Sequence, residues 1–327
     1  MIIDCHAHFV PPSLLDAIRE DKDAFPSVHM TEQGGFAFAG GKPTRPVAKP
    51  LTDLSARLNW MDAQGIDAQV VGGWLDMFGY ELPAEEGERW ARLTNAHLAE
   101  AARSEQRLVP LATVPLQDGA RAAAVLRDAH AAGFPGAMIG TQPKGAGGVL
   151  DDPTLVPFWQ AAHDLGSVIF IHPVFESGDD RVHEYGLANA IGRITDTLIA
   201  VSRLISAGHV TRFSGAKIVI GIGGAALPFV LGRLRRNHEL AKDTVADPDA
   251  ALAHLYYDTV VQDVRALRFL AEIVGADRIM MGSDMPFPIG DPAPRVIVDA
   301  ARFSAAERAS ITGGLAARLL ASGRAKP

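Results

Sequence analysis

His6 and His8 stand one residue apart at the end of the run Ile2-Ile3-Asp4-Cys5-His6-Ala7-His8. The branched apolar start of the run reads as a buried strand. Side chains alternate along a strand, so both imidazoles face one side while Cys5 and Ala7 face the other. His172 closes a second such run, Val168-Ile169-Phe170-Ile171-His172, and Asp284 follows a third, at 278–283. Three imidazoles and a carboxylate are a donor set for one divalent transition ion. Zinc comes first, then manganese, iron or cobalt, with a position left for water or a substrate oxygen. Taken singly, a strand-end histidine is more often packed or hydrogen-bonded than metal-bound. Four such residues at three strand ends make the metal site the stronger reading.

The elements that must bring these residues together are legible as a pattern. Strand-like runs recur at 2–8, 68–74, 108–114, 136–140, 168–172, 217–221, 255–260 and 278–283. Helical spacing of apolar residues fills the intervals, most clearly at 54–61, 90–102, 120–132, 197–205 and 264–273. Gly65 and Gly133 fall just past two of these patterns, where a left-handed C-cap is wanted. Strand–helix alternation implies parallel strands with helical crossovers. Eight such units predict an α/β fold, a TIM-type (β/α)8 barrel occupying 1–327 as one domain. The Gly- and Pro-rich stretch at 22–50 reads as an insertion after the first strand, a small hairpin over the mouth. Residues 174–190 form a second irregular loop. In such a barrel the C-terminal strand ends share one mouth, whatever their distance in sequence. Asp258, at the seventh run, then faces the mouth as a partner for the ligands. Trp74, Phe78 and Phe287 could wall a pocket for a flat substrate.

Composition narrows the function. The 327 residues carry 31 basic and 38 acidic side chains, a net charge of -7 without long runs of one sign. That opposes nucleic-acid binding. Cys5 has no partner cysteine, which suits a reducing cytosol. The opening residues lack a basic region and no stretch reaches the roughly 20 apolar residues of a membrane span, so a cytoplasmic location is expected.

The Asp-x-His-x-His opening, the Ile-His-Pro at 171–173 and Gly282-Ser283-Asp284-Met285-Pro286-Phe287-Pro288 resemble the amidohydrolase superfamily. Within it they look like the metal-dependent decarboxylases typified by 2-amino-3-carboxymuconate-6-semialdehyde decarboxylase. Segments 61–70, 77–80, 114–118 and 150–152 fit the same branch. The resemblance implies one ion held by His6, His8, His172 and Asp284, with His172 and Asp284 also serving catalysis. It implies that Arg45, in Thr44-Arg45-Pro46-Val47, contacts a substrate carboxylate. It implies too that Arg233 reaches the neighbouring subunit's site across a homodimer. Dinuclear members bridge two ions with a lysine at the fourth strand. None stands in 136–141, and Lys144 lies further along a loop, so one ion is expected.

One match breaks. The branch carries His-Gly-Gly-Gly after the sixth strand, whereas Gly221-Ile222-Gly223-Gly224 puts Ile222 at the histidine's place. An alkyl side chain neither binds a metal nor moves a proton. Losing a general base typically costs about 10²- to 10⁴-fold in rate. His183 and Glu184, or Glu176, are the nearest substitutes in sequence. The expected activity is non-oxidative decarboxylation of an aromatic or conjugated unsaturated carboxylic acid, which needs no activated water. A hydrolase or hydratase acting on a related ring-cleavage product needs the missing base. A catalytically idle binding barrel would have no use for four metal ligands.

Overall fold

The structure, a computed structural model, describes residues 1–144, 147–174 and 179–323. Ten strands form among the described residues: β1 (Ile3–His8), β2 (Val28–Met30), β3 (Phe36–Phe38), β4 (Ala68–Gly72), β5 (Leu108–Pro110), β6 (Gly136–Gly140), β7 (Val168–His172), β8 (Lys217–Ile220), β9 (Leu255–Asp258) and β10 (Ile279–Met280). β1, β4 and β5 pair in parallel, as do β6 through β10 in sequence order. Two narrow seams join the arcs. Ala112 bridges Ala137, with Ala112 N–H donating to Gly136 O and Met138 N–H to Ala112 O. Ala7 bridges Met285, and Cys5 and His8 N–H donate to Met281 O and Met285 O, both at 2.8 Å. The eight parallel strands thus complete the circle of a (β/α)8 barrel.

Several strands are shorter than the sequence suggests. Residues 73–74, 111–114 and 281–283 leave the regular ladder, although Leu111, Ala112 and Val114 are wholly buried. Apolar character reports burial, and at a barrel mouth buried chain continues past the last strand pair. The helix expected at 90–102 runs Ala84–Ser104. Its first turn carries Glu85 and Glu86, which complement the helix dipole but are invisible to apolar periodicity. The helix Leu54–Gln64 ends at Gly65 (φ 62°), whose N–H returns to Met61 and Asp62 carbonyls, and Gly133 also has positive φ (94°).

The insertion is a hairpin, β2 antiparallel to β3. Phe36 and Phe38 set their rings 6.0 and 5.4 Å from Trp90, on the helix Ala84–Ser104. Thr44 then zips onto the hairpin, its N–H donating to Phe36 O at 2.6 Å while its Oγ1 accepts from Phe36 N–H at 2.9 Å. This delivers the next residue, Arg45, to the barrel mouth.

Candidate metal centre

β1 presents His6 and His8, β7 presents His172, and the turn after β10 presents Asp284 in a left-handed conformation (φ 59°). One ligand-type atom from each lies within 4.8 Å of the others. Asp284 Oδ1 is 3.4 Å from His6 Nε2, 3.2 Å from His8 Nε2 and 3.8 Å from His172 Nε2. Donors about 2.1 Å from a shared tetrahedral ion stand about 3.4 Å apart, so these separations suit one ion.

The opposite ring atoms explain the arrangement. His6 Nδ1 meets Asp258 Oδ2 at 2.6 Å, His8 Nδ1 meets Gly73 O at 3.1 Å and His172 Nδ1 meets Pro173 O at 2.9 Å. Each acceptor requires a proton on Nδ1, which leaves every Nε2 as a bare lone pair. His8 and His172 then oppose lone pairs across 3.2 Å, and His6 Nε2 and Asp284 Oδ1 have no hydrogen-bond partner among the described residues. Four buried acceptors facing one point with no donor among them call for a cation. Burial pushes His8 down, and His172 down to about 3, which keeps both neutral. Burial also disfavours charge on His6, but Asp284 and Asp258 outweigh it and its pKa rises. Burial alone would raise Asp284; the imidazoles around it hold its carboxyl well below the usual range.

A second layer fixes these residues. Asp258 Oδ2 also accepts from Ile222 N–H at 3.1 Å, and Oδ1 accepts from Gly223 and Val260 N–H at 2.6 and 3.1 Å. It thereby ties His6 to a run of positive φ from Ile222 to Ala226. A Cβ on Gly221 would stand 3.5 Å from His6 Cε1, so this segment borders the cluster where no histidine stands. Below, Asp4 accepts from His6 N–H, Gln69 Nε2 and both N–H and Oγ of Ser283. Arg57, fully buried, donates to His8 O and Gln69 Oε1. The sequence reading missed both residues. For Asp4 the signal was parity, because positions 4, 6 and 8 share a strand face. Arg57 had none, since an arginine on an amphipathic helix normally faces water.

At the rim, Arg45 Nε lies 3.4 Å from Asp76 Oδ2, with its guanidinium 5.6 Å from the Trp74 ring centre. Phe287 sits 5.1 Å from the His8 ring, while Phe78 packs on Tyr80. Arg233 is exposed on the helix Leu227–Leu240 and is not brought to its own chain's cluster. His183 is exposed beside Asp180, and Glu184 is exposed too. Glu176 lies outside the described residues. Lys144 donates to Asp152 and Thr154, away from the cluster.

A (β/α)8 barrel with three imidazoles and a carboxylate gathered at its strand ends defines a metal-dependent barrel enzyme. A family model described as amidohydrolase matches residues 3–321, and the chain belongs to that family. It is 28% identical over 330 residues to the 2-amino-3-carboxymuconate-6-semialdehyde decarboxylase of Dictyostelium discoideum, covering 97% of this chain and 91% of that one. It is 27% identical to the gamma-resorcylate decarboxylase of Rhizobium radiobacter, over 80% of this chain and 85% of the other. The crystal structure of 5-carboxyvanillate decarboxylase LigW from Sphingomonas paucimobilis superposes with a TM-score of 0.81 at 26% identity, covering 98% of both chains.

Proposed function

We propose that this protein is a divalent-metal-dependent decarboxylase that removes CO2, without oxidation, from an aromatic or conjugated unsaturated carboxylic acid. The observation that carries the reading is the inward convergence of three Nε2 lone pairs and Asp284 Oδ1, each imidazole locked by its Nδ1 partner. The decarboxylases among its relatives supply the reaction class. His6, His8, His172 and Asp284 would hold one ion, with zinc the first choice and manganese, iron and cobalt accepted by the same donors. When bound, the ion supplies a fixed positive charge for the substrate's oxygens.

This chain's own residues do the rest. Arg45 offers its planar fork to a substrate carboxylate. Phe287 and Trp74 provide flat apolar walls. Decarboxylation replaces a carboxylate by a proton on carbon, and Asp284, with one oxygen directed into the cluster, has its second to hold that proton. His172 would share the ion with Asp284 and so help to hold that carboxylate in place. No step needs the base that Ile222 cannot be, which disfavours hydration or hydrolysis.

The chain acts as one domain over 1–327 and as a cytoplasmic homodimer. Phe229 (82% exposed) and Arg233 lie one helical turn apart on Leu227–Leu240, so they share a face. Ile199 is exposed on the helix packed beside it. These apolar groups suit a partner subunit, into whose site Arg233 would reach. No helix among the described residues is long and apolar enough to cross a membrane. The test is metal analysis with turnover. Purified protein should hold about one transition ion per chain and release CO2 from an aromatic or muconate-type acid. His172→Ala should lose the ion and about 10³-fold or more of the rate. Retention of metal and turnover in that variant would refute the ligand set.

A further inference from the structure

Asp76 stands at the rim in the turn Leu75–Met77, just past the C-terminal end of β4. This stretch of chain grows out of the frame of the metal cluster, because Gly73 O holds His8 Nδ1 at 3.1 Å. Met77 turns to the barrel wall, where it lines a small cavity with Val10, Leu14 and Thr94. Asp76 instead reaches Arg45, which the hairpin carries to the mouth, and its Oδ2 accepts from Arg45 Nε at 3.4 Å. Only 4% of the Asp76 side chain is exposed. Its other oxygen, Oδ1, is buried without a hydrogen-bond partner among the described residues.

A buried carboxylate is expected to accept hydrogen bonds on both oxygens. Other carboxylates of this chain meet arginine that way. Asp151 takes two bonds from Arg203, at 2.7 and 2.8 Å, one on each oxygen, and Asp249 uses both oxygens on Arg235. Asp76 is more buried than either, yet it is held by one long contact to one oxygen. Burial raises its pKa against the opposing pull of Arg45 and Arg193, as befits a carboxylate short of donors. Steering Arg45 needs only Oδ2 and does not account for an idle, buried Oδ1. An unmet acceptor at the entrance to an acid-processing site is complementary to an N–H or O–H group on the incoming molecule.

We propose that Asp76 is a specificity-determining residue whose Oδ1 accepts a hydrogen bond from an amino or hydroxyl group of the substrate. Oδ2 stays on Arg45, so the carboxylate bridges arginine and substrate. The acid processed here then carries a donor group in addition to the carboxylate it loses. The inference rests on the decarboxylase reading of the site and narrows its substrate class, but its test does not need turnover.

Manganese-loaded wild type, Asp76→Asn and Asp76→Ala are titrated calorimetrically with benzoates bearing an amino, hydroxyl or methyl group in the meta or para position. The ortho position is avoided because a group there lies within reach of the ion. Wild type should bind an amino or hydroxyl acid about tenfold or more tighter than the methyl acid of the same position, and the two donor arms separate amine from hydroxyl. Asp76→Asn must keep its amide oxygen on Arg45 Nε–H and turn its NH2 group towards the substrate's donor. It should lose about 10- to 100-fold for the favoured acid while the methyl acid shifts little. Asp76→Ala should bring the two acids close to equal affinity. Absence of any preference in wild type would overturn the proposal. So would an equal loss for all the acids in both variants, the signature of an aspartate that only holds Arg45. If Asp76→Ala fails to fold or to hold manganese, the wild-type preference and the Asp76→Asn titration decide. Absence of CO2 release from every acid tried would refute the decarboxylase reading and leave the binding result standing.

Discussion

At the floor of the mouth, His6, His8, His172 and Asp284 are at most 4% exposed, and every imidazole has its second nitrogen engaged. At the rim, Arg45 is 45% exposed in its side chain, and Arg233 stands on an outer helix. The segment that should carry a histidine carries Ile222 instead. The floor is over-determined: Asp4, Arg57, Gln69, Ser283 and Asp258 hold backbone and side chains from three sides. The rim is assembled from separate pieces, a hairpin, a loop and two helix starts. A packed floor can keep its chemistry while the rim changes what it admits.

That contrast can be broken most decisively at Asp258, where floor and rim meet. Both its oxygens accept from donors, His6 Nδ1 and three backbone N–H groups. An asparagine must therefore turn its NH2 group towards one set of donors. Asp258→Asn should weaken metal affinity by about 10- to 100-fold, read by competition with a chelator. Unchanged affinity would mean that the floor does not depend on this link.

Acidity probes the floor alone. His172 titrates near 3 in the folded protein against an ordinary 6.5, and His8 is lowered as well. Between those values the unfolded chain binds the extra protons, so stability falls as pH drops below about 6.5. Asp284, also depressed, acts in the same direction but only at pH below the ordinary carboxylate range, and the raised His6 and Asp4 oppose. Metal-free protein should therefore unfold at lower urea near pH 5.5 than near pH 7.5. A higher midpoint at the acid end would contradict a buried, neutral cluster.

The smallest effect is expected at Ile222. A β-branched residue at φ 54° is strained, since its Cβ crowds the backbone. Ile222→Gly should raise stability by about 0.5–1 kcal/mol, measurable as a shifted denaturation midpoint, without altering metal content. A loss of stability would show that the isoleucine side chain packs at the rim more tightly than its strain costs.

The barrel and the floor were legible because they obey short-range rules. Alternation put His6 and His8 on one face, and a run of buried strand led to each of His172 and Asp284. Convergence at the mouth then followed from topology. Asp258 was readable for the same reason. The rim was less legible because it depends on how separate loops meet. Asp196 looks like any first-turn helix aspartate until it is seen accepting from Thr141 and Gln142. Asp76 reads as a loop aspartate until Arg45 arrives on the hairpin. Strand ends were overextended because buried chain at the mouth is apolar whether or not it pairs.

The seam between β1 and the turn after β10 has a consequence for biosynthesis. His6 and His8 leave the ribosome well before Asp284 and the backbone that seals β1, which follow about 275 residues later. At about 5–20 residues per second, the two histidines wait roughly 15–60 s for their carboxylate. During that interval β1 has an open edge and an imidazole pair without its counter-charge. Capture of the proper ion by all four ligands is thus deferred until Asp284 has been made, so the pool that the chain meets from then on decides which metal it keeps.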